Sequence, residues 1–139
     1  RRIRVLAVDD EPPALDELGL VGALRRHVDQ YDGDRPAVAL HAVEPLPPLS
    51  AAVEVAAYRI AVEALTNAVR HAGASRVEVH LSAPVEGLSL VVTDDGPEHD
   101  GWVAGVGLTS MRERIAELGG TVTAGPAAGG GRVAARLPL

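Results

Sequence analysis

The sequence predicts an α+β fold, a two-layer α/β sandwich in which helices cover one face of a mixed sheet. The first observation is the order of elements. Hydrophobic periodicity indicates helix, strand, helix, hairpin, loop, helix and hairpin, so helices and paired strands are segregated rather than alternating. The second is composition: 139 residues that are 47% apolar, with no Phe and only 2% aromatic residues. A chain of this length and composition suits a single domain whose core is built from Val, Leu, Ile and Ala.

The first half of the chain contains the less regular elements. Residues 3–8 are typical of a short buried strand, followed by the acidic run 9–11 and a pair of prolines. Apolar spacing predicts a helix over 14–30. A strand over 37–43 and a proline-rich connector over 44–49 follow.

The second half is more regular. Ser50 is suited to cap a helix that runs to about residue 72, where Gly73 can end it. Apolar residues alternate at 77, 79 and 81 and again at 88, 90 and 92, which predicts a hairpin turning over 82–87. The stretch 96–107 has no periodicity. A short helix follows, with apolar residues from 108 to 118, and the strands 121–124 and 132–137 form a last hairpin.

Composition excludes several classes of function. All 13 basic residues are Arg, so a P-loop lysine is absent. A net charge of −6 argues against a nucleic-acid partner. The lack of Cys excludes disulfides and cysteine-based zinc sites. No apolar run is long enough to span a bilayer, although a membrane segment of a parent protein would not be visible here. We expect this segment to be cytoplasmic and without direct membrane contact, whether or not the parent protein is membrane-anchored.

The second helix carries one polar stripe on an otherwise apolar surface. Glu63, Asn67 and His71 are four residues apart and share a face, with a drift of about 40° per step. A carboxamide oxygen suits Mg²⁺, a carboxylate can hold a metal-bound water, and His71 or Arg70 can meet phosphate oxygens. The alternative is an internal polar network in which Arg59 pairs with Glu63.

Two further motifs follow the polar stripe of the second helix along the sequence. Asp94 ends the second alternating strand with the parity of its core-facing residues, so its carboxylate could accept a hydrogen bond from an exocyclic amine such as that of adenine. Gly96 then permits close backbone approach, although for this pair taken in isolation an ordinary Asp-Gly turn is the better explanation. Gly105 and Gly107 stand directly before a helix, where exposed N–H groups favour an anion.

In this order, the motifs resemble the nucleotide-binding motifs of the GHKL ATPase/kinase superfamily, which contains gyrase B, Hsp-type chaperone ATPases, histidine kinases and mismatch-repair ATPases. The likeness is closest to the ATP-binding catalytic domain of bacterial two-component sensor histidine kinases of the short-lid class, which pair with LuxR-like regulators. This likeness rests on residues 13–20, 58–72 and 105–114 and on the glycines before the last strand. It implies an atypical lead-in over 1–12 and a catalytic domain over 13–139.

The resemblance also implies roles for single residues. Asn67 would bind Mg²⁺, and Glu63 would assist transfer of the γ-phosphoryl group of ATP to a histidine on a separate dimerisation helix. Asp94 would accept from the adenine amine. The remaining nucleotide-binding residues would be Arg70, His71, Gly96, Gly105, Gly107, Leu108 and Thr109. The implied partners are the dimerisation and phosphotransfer helices of the parent kinase and a cognate response regulator.

The chain departs from the family pattern in places. Glu98 stands where the family has a second glycine after the adenine-binding Asp. No histidine of this sequence lies in the family's acceptor motif, so we expect no self-phosphorylation. Residues 8–12 resemble the opening of a response-regulator receiver domain, but the lysine that such a domain needs is absent. A serine kinase of the anti-sigma-factor type, or a degenerate nucleotide-binding module, are the alternatives.

Overall fold

The computed structural model describes residues 13–31, 36–71, 73–85, 87–96, 106–127 and 130–139. The predicted strand over 3–8 and the acidic run after it lie outside these residues. The elements are, in chain order, α1 (Pro13–Val28), β1 (Ala37–Ala42), α2 (Ala51–His71), β2 (Arg76–Ser82), β3 (Leu88–Asp94), α3 (Val106–Glu117), β4 (Thr121–Ala127) and β5 (Gly130–Leu137). The predicted order from residue 13 onward is confirmed, although α3 begins earlier than expected and the last hairpin is longer.

Helix α2 is the central helix of the fold. Its first turn is capped as predicted, because the Ser50 hydroxyl oxygen accepts the Val53 N–H at 3.2 Å. Gly73 follows the helix with a φ of 65°, which a residue with a side chain rarely adopts. Its buried face consists mostly of small residues: Val53, Ala56, Ala57, Ile60, Ala61, Ala64, Leu65 and Ala68. Short side chains let the helix backbone lie close to the sheet.

Helix α1 packs beside α2 and reaches β1. It is interrupted at Gly19, whose φ of 74° and ψ of 177° are not helical. Apolar residues on both sides of this kink are buried, among them Leu15, Leu20 and Leu24. The kink therefore lets both halves of α1 bury their apolar faces in the same core.

The five strands form one sheet in the order β1-β2-β3-β5-β4. β1 runs parallel to β2, and every other neighbouring pair is antiparallel. The expected mixed sheet is therefore confirmed, with β5 inserted between β3 and β4. Among the described residues, no helix combines the length and apolar character that a bilayer crossing requires.

The two faces of the sheet differ in chemistry. Val77, Val79 and Leu81 of β2 are buried, as are Leu88, Leu90 and Val92 of β3, and they form the core together with α2. The alternate positions of β2 are occupied by Glu78 and His80, which point to the other face. Within the described part of the chain, the strand residues on that second face are exposed or half-buried, and the helices pack against the first face.

Candidate functional site

The strand register brings the end of β3 and the end of α2 to one edge of the sandwich. Val77, near the start of β2, pairs with Asp94, and Gly131 pairs with Asp94 from the other side. The link from His71, where α2 ends, to Arg76, where β2 begins, spans at most about 18 Å. The polar stripe of α2 and the acidic end of β3 are therefore neighbours in space.

The N-terminus of α3 faces the same edge. The helix is followed by β4, whose first residue Thr121 pairs with Arg136, and Arg136 in turn pairs with Ser89 near the start of β3. The C-terminus of α3 thus lies at the opposite edge. Its 12 residues run about 18 Å back along α2 and β4. The end of α2, the end of β3 and the first turn of α3 therefore lie at the same edge, although they are separated along the chain.

Asn67 and Glu63 lie half-buried, one turn apart on α2. The Asn67 Nδ2 atom is buried and has no hydrogen-bond partner within the described ranges. Buried carboxamides are almost always hydrogen-bonded, so this one needs a partner from outside the described residues. The oxygen donors of Glu63 and Asn67 are hard ligands of the kind that Mg²⁺ prefers, and this pair fits such an ion. Arg70 lies exposed further along the helix.

Asp94 is half-buried, and its side chain is held in place. Its Oδ1 atom accepts the Gly96 N–H at 2.9 Å. Strand β5 passes close beside it, since a Cβ atom added to Gly130 would collide with the Asp94 carbonyl oxygen. Gly96 itself is buried. A carboxylate fixed in this way presents its acceptor oxygens in a defined direction.

The neighbouring Asp95 has a different role, a structural one that the sequence pattern did not predict. Its carboxylate accepts the Ser75 hydroxyl at 2.6 Å and the backbone N–H groups of Ser75 and Arg76 at 2.8 and 2.9 Å. These bonds, that of the Ser75 hydroxyl foremost, lower the pKa of Asp95 to about 2. Asp95 therefore ties the end of β3 to the start of β2. The only sequence signal was a serine directly before an alternating strand.

Of the remaining predicted site residues, Gly107 lies within the described part of the chain. Gly107 lies in the first turn of α3, and no acidic residue occupies that turn. The N–H groups in the first turn of a helix have no partner within the helix and lie at the positive end of its dipole. This arrangement favours binding of a phosphate. Gly105 and Glu98 lie outside the described residues, as do the side chains of His71, Leu108 and Thr109.

A family model covers the greater part of this fold. Residues 52–139 match the family described as histidine kinase-, DNA gyrase B-, and HSP90-like ATPase. The chain therefore belongs to this family, and the predicted GHKL resemblance is confirmed. The match begins at α2 and includes the whole of the edge at which the motifs meet.

Relatives and solved structures agree with this assignment. The chain is 32% identical to the sensor histidine kinase MctS of Rhizobium johnstonii, over 99% of this chain and 32% of that protein. It is 35% identical to the histidine-protein kinase/phosphatase UhpB of Salmonella typhimurium, over 91% of this chain and 26% of UhpB. The histidine kinase domain of the blue-light activated kinase of Erythrobacter litoralis shares the fold, with a TM-score of 0.68 at 22% identity, covering 91% of this chain and 68% of that one. The chain spans about a third or less of its curated relatives. It corresponds to the ATPase-type domain of a sensor histidine kinase.

Proposed function

We propose that this chain binds Mg²⁺-ATP and donates the γ-phosphoryl group to a histidine on a separate dimerisation helix. The observation that carries this proposal is the convergence of Asn67, Asp94 and the N-terminus of α3 at one edge of the sandwich. Family membership supports ATP as the nucleotide. The partners would be the phosphotransfer helices of the parent kinase and its response regulator, in the cytoplasm, where ATP is supplied.

Each group at the edge has a distinct role in this proposal. Asp94 accepts a hydrogen bond from the adenine amine, and the N-terminus of α3 receives phosphate oxygens. Asn67 and Glu63 hold Mg²⁺, which neutralises phosphate charge when bound. Glu63 also orients the incoming acceptor, because phosphoryl transfer depends chiefly on positioning and electrostatics. Arg70, exposed beyond this stripe, can meet phosphate oxygens.

The catalytic domain in this proposal covers residues 13–139, with 1–12 as a lead-in. The family match begins at residue 52, yet α1 and β1 lie before it. Leu20 and Leu24 of α1 are buried in the same core as Leu65 of α2. Because the core would lose these residues, we expect a fragment that begins at residue 52 to be much less stable than the whole chain.

Phosphotransfer tests the proposal directly. The chain is incubated with γ-labelled ATP and Mg²⁺, alone, with a dimerisation fragment bearing an acceptor histidine, and with a protein serine substrate of the anti-sigma-factor system. We expect acid-labile label on the histidine fragment, none on the same fragment with its histidine replaced, and none on the chain alone. Acid-stable label on the serine substrate, or acid-labile label on the chain alone, would contradict the proposal.

A degenerate module is distinguished by the same assay combined with calorimetry. Such a module would bind ATP without labelling any acceptor. Glu98, where the family has glycine, would be expected to weaken binding by repelling the phosphates. Glu98→Gly should therefore tighten ATP binding, and equal or weaker affinity would refute this role of Glu98.

A further inference from the structure

A second cluster of polar side chains lies on the second face of the sheet, among its exposed and half-buried residues. His41 on β1 and His80 on β2 are direct partners in the parallel register. Glu78 precedes His80 by two residues and therefore points to the same face. We call this cluster of His41, Glu78 and His80 the sheet-face triad. It lies on the face of the sheet opposite to α2, the helix that carries Asn67.

The three side chains already approach one another. The His80 Nε2 atom lies 3.4 Å from Glu78 Oε1, and His41 Nε2 lies 3.9 Å from Glu78 Oε2. One ligand atom from each residue can be chosen so that all lie within 4.8 Å of one another. The two imidazole rings are stacked, with centroids 4.8 Å apart and an angle of 17° between their planes. Within the described residues, this is the group of His and acidic side chains that could hold a metal ion.

We propose that the sheet-face triad binds a borderline-soft divalent transition metal ion, with Zn²⁺ as the matching cation. Two imidazole nitrogens and a carboxylate oxygen form a ligand set that zinc uses with a fourth, open position. Mg²⁺ and Ca²⁺ prefer sites built entirely from oxygen ligands, so this set selects against the cation of the nucleotide site.

The geometry requires only side-chain adjustment. Zinc–nitrogen distances of about 2.0–2.1 Å place tetrahedral ligands about 3.3–3.4 Å apart. The 3.4 Å separation between His80 Nε2 and Glu78 Oε1 already matches. His41 Nε2 lies 3.9 Å from the other carboxylate oxygen, Oε2, and must move closer. The stacked rings must also tilt, so that the lone pairs in their planes converge. The side chain of His41 is 52% exposed, that of Glu78 31% and that of His80 46%. All three can therefore rotate without disturbing the core.

One neighbouring cation competes for the carboxylate. Arg76 Nη1 lies 3.9 Å from Glu78 Oε2, and the Arg76 side chain is 70% exposed. An ion pair of this length in solvent contributes little, so a metal ion can displace it. Because the guanidinium repels a bound cation, its removal should strengthen metal binding. A triad that served only as surface ion pairs would show no such gain.

Zinc titration of the metal-free chain, without nucleotide, tests this inference. Calorimetry should show that the wild-type chain binds one Zn²⁺ ion with high affinity. His80→Gln and Glu78→Gln should each weaken binding by at least about ten-fold, since loss of one ligand costs at least as much as loss of an outer-shell partner. Arg76→Gln should tighten binding by about two- to five-fold. In heteronuclear spectra, the ring resonances of His41 and His80 should shift together on addition of zinc.

Control variants locate the ion. Asn67→Ala alters the nucleotide edge, and His99→Gln removes an imidazole elsewhere in the sequence. Both should keep wild-type zinc affinity, whatever the outcome for ATP. Equal zinc affinity in wild type and His80→Gln, or loss of zinc binding in His99→Gln, would overturn the proposal. Circular dichroism of each variant confirms that the fold is retained, and His41→Gln provides an independent ligand deletion.

Discussion

Asp94→Asn separates the proposed adenine contact from the fold that supports it. The Asp94 Oδ1 atom accepts the Gly96 N–H at 2.9 Å, and an amide oxygen can accept the same bond. The other end of the side chain changes from an acceptor to a donor, which would face the adenine amine. A hydrogen bond to a charged group is worth about 1.5–3 kcal/mol, so ATP affinity should fall roughly ten- to hundred-fold. The bond to Gly96 survives this substitution, so a cooperative thermal transition should show that the variant still folds.

Calorimetry with both ATP and GTP makes this test specific. Adenine presents an exocyclic amine where guanine presents a carbonyl oxygen. The new donor in Asp94→Asn should therefore lower the preference for ATP over GTP as well as the affinity for ATP. Asp29→Asn makes the same chemical change at an exposed position after α1 and should leave both affinities unchanged. Equal ATP affinity in wild type and Asp94→Asn would show that Asp94 does not recognise adenine.

Three further predictions follow from the structure. Asn67→Ala should abolish the enhancement of ATP binding by Mg²⁺ while the protein still folds; an unchanged ratio of affinities with and without Mg²⁺ would refute the metal role. The pKa of Asp95 is lowered from 3.8 to about 2, so its hydrogen bonds stabilise the fold above pH 3.8, and this contribution is lost as the pH falls through about 2. Urea unfolding from neutral pH downward should therefore show a smaller acid-induced loss in Asp95→Ala than in wild type, and parallel curves would contradict this. Leu65→Ala, in a fully buried position, should reduce the free energy of unfolding by about 2–5 kcal/mol. Val85→Ala, in an exposed position, is its control and should change it by less than about 0.5 kcal/mol.

Local patterns in the sequence were sufficient for the elements themselves. The cap at Ser50, the glycine after α2 and the alternation in β2 and β3 depend on residues near one another in the chain, and the structure confirms them. The family resemblance was accessible for the same reason, because each motif is a short run with its own chemistry. The alternation also showed which strand residues face the helices.

Tertiary structure alone decided how β1 and the two predicted hairpins join into one sheet. A two-residue period reveals the buried face of a strand but not its partner, so nothing local indicated that β1 pairs in parallel with β2 or that β5 inserts between β3 and β4. The approach of His41 to Glu78 and His80 depends on the pairing of β1 with β2. The clamp of Asp95 on Ser75 depends on the register within the β2–β3 hairpin. These contacts join residues about 20 to 40 positions apart in the chain, and only burial of the whole core on one face of the sheet selects the register that brings them together.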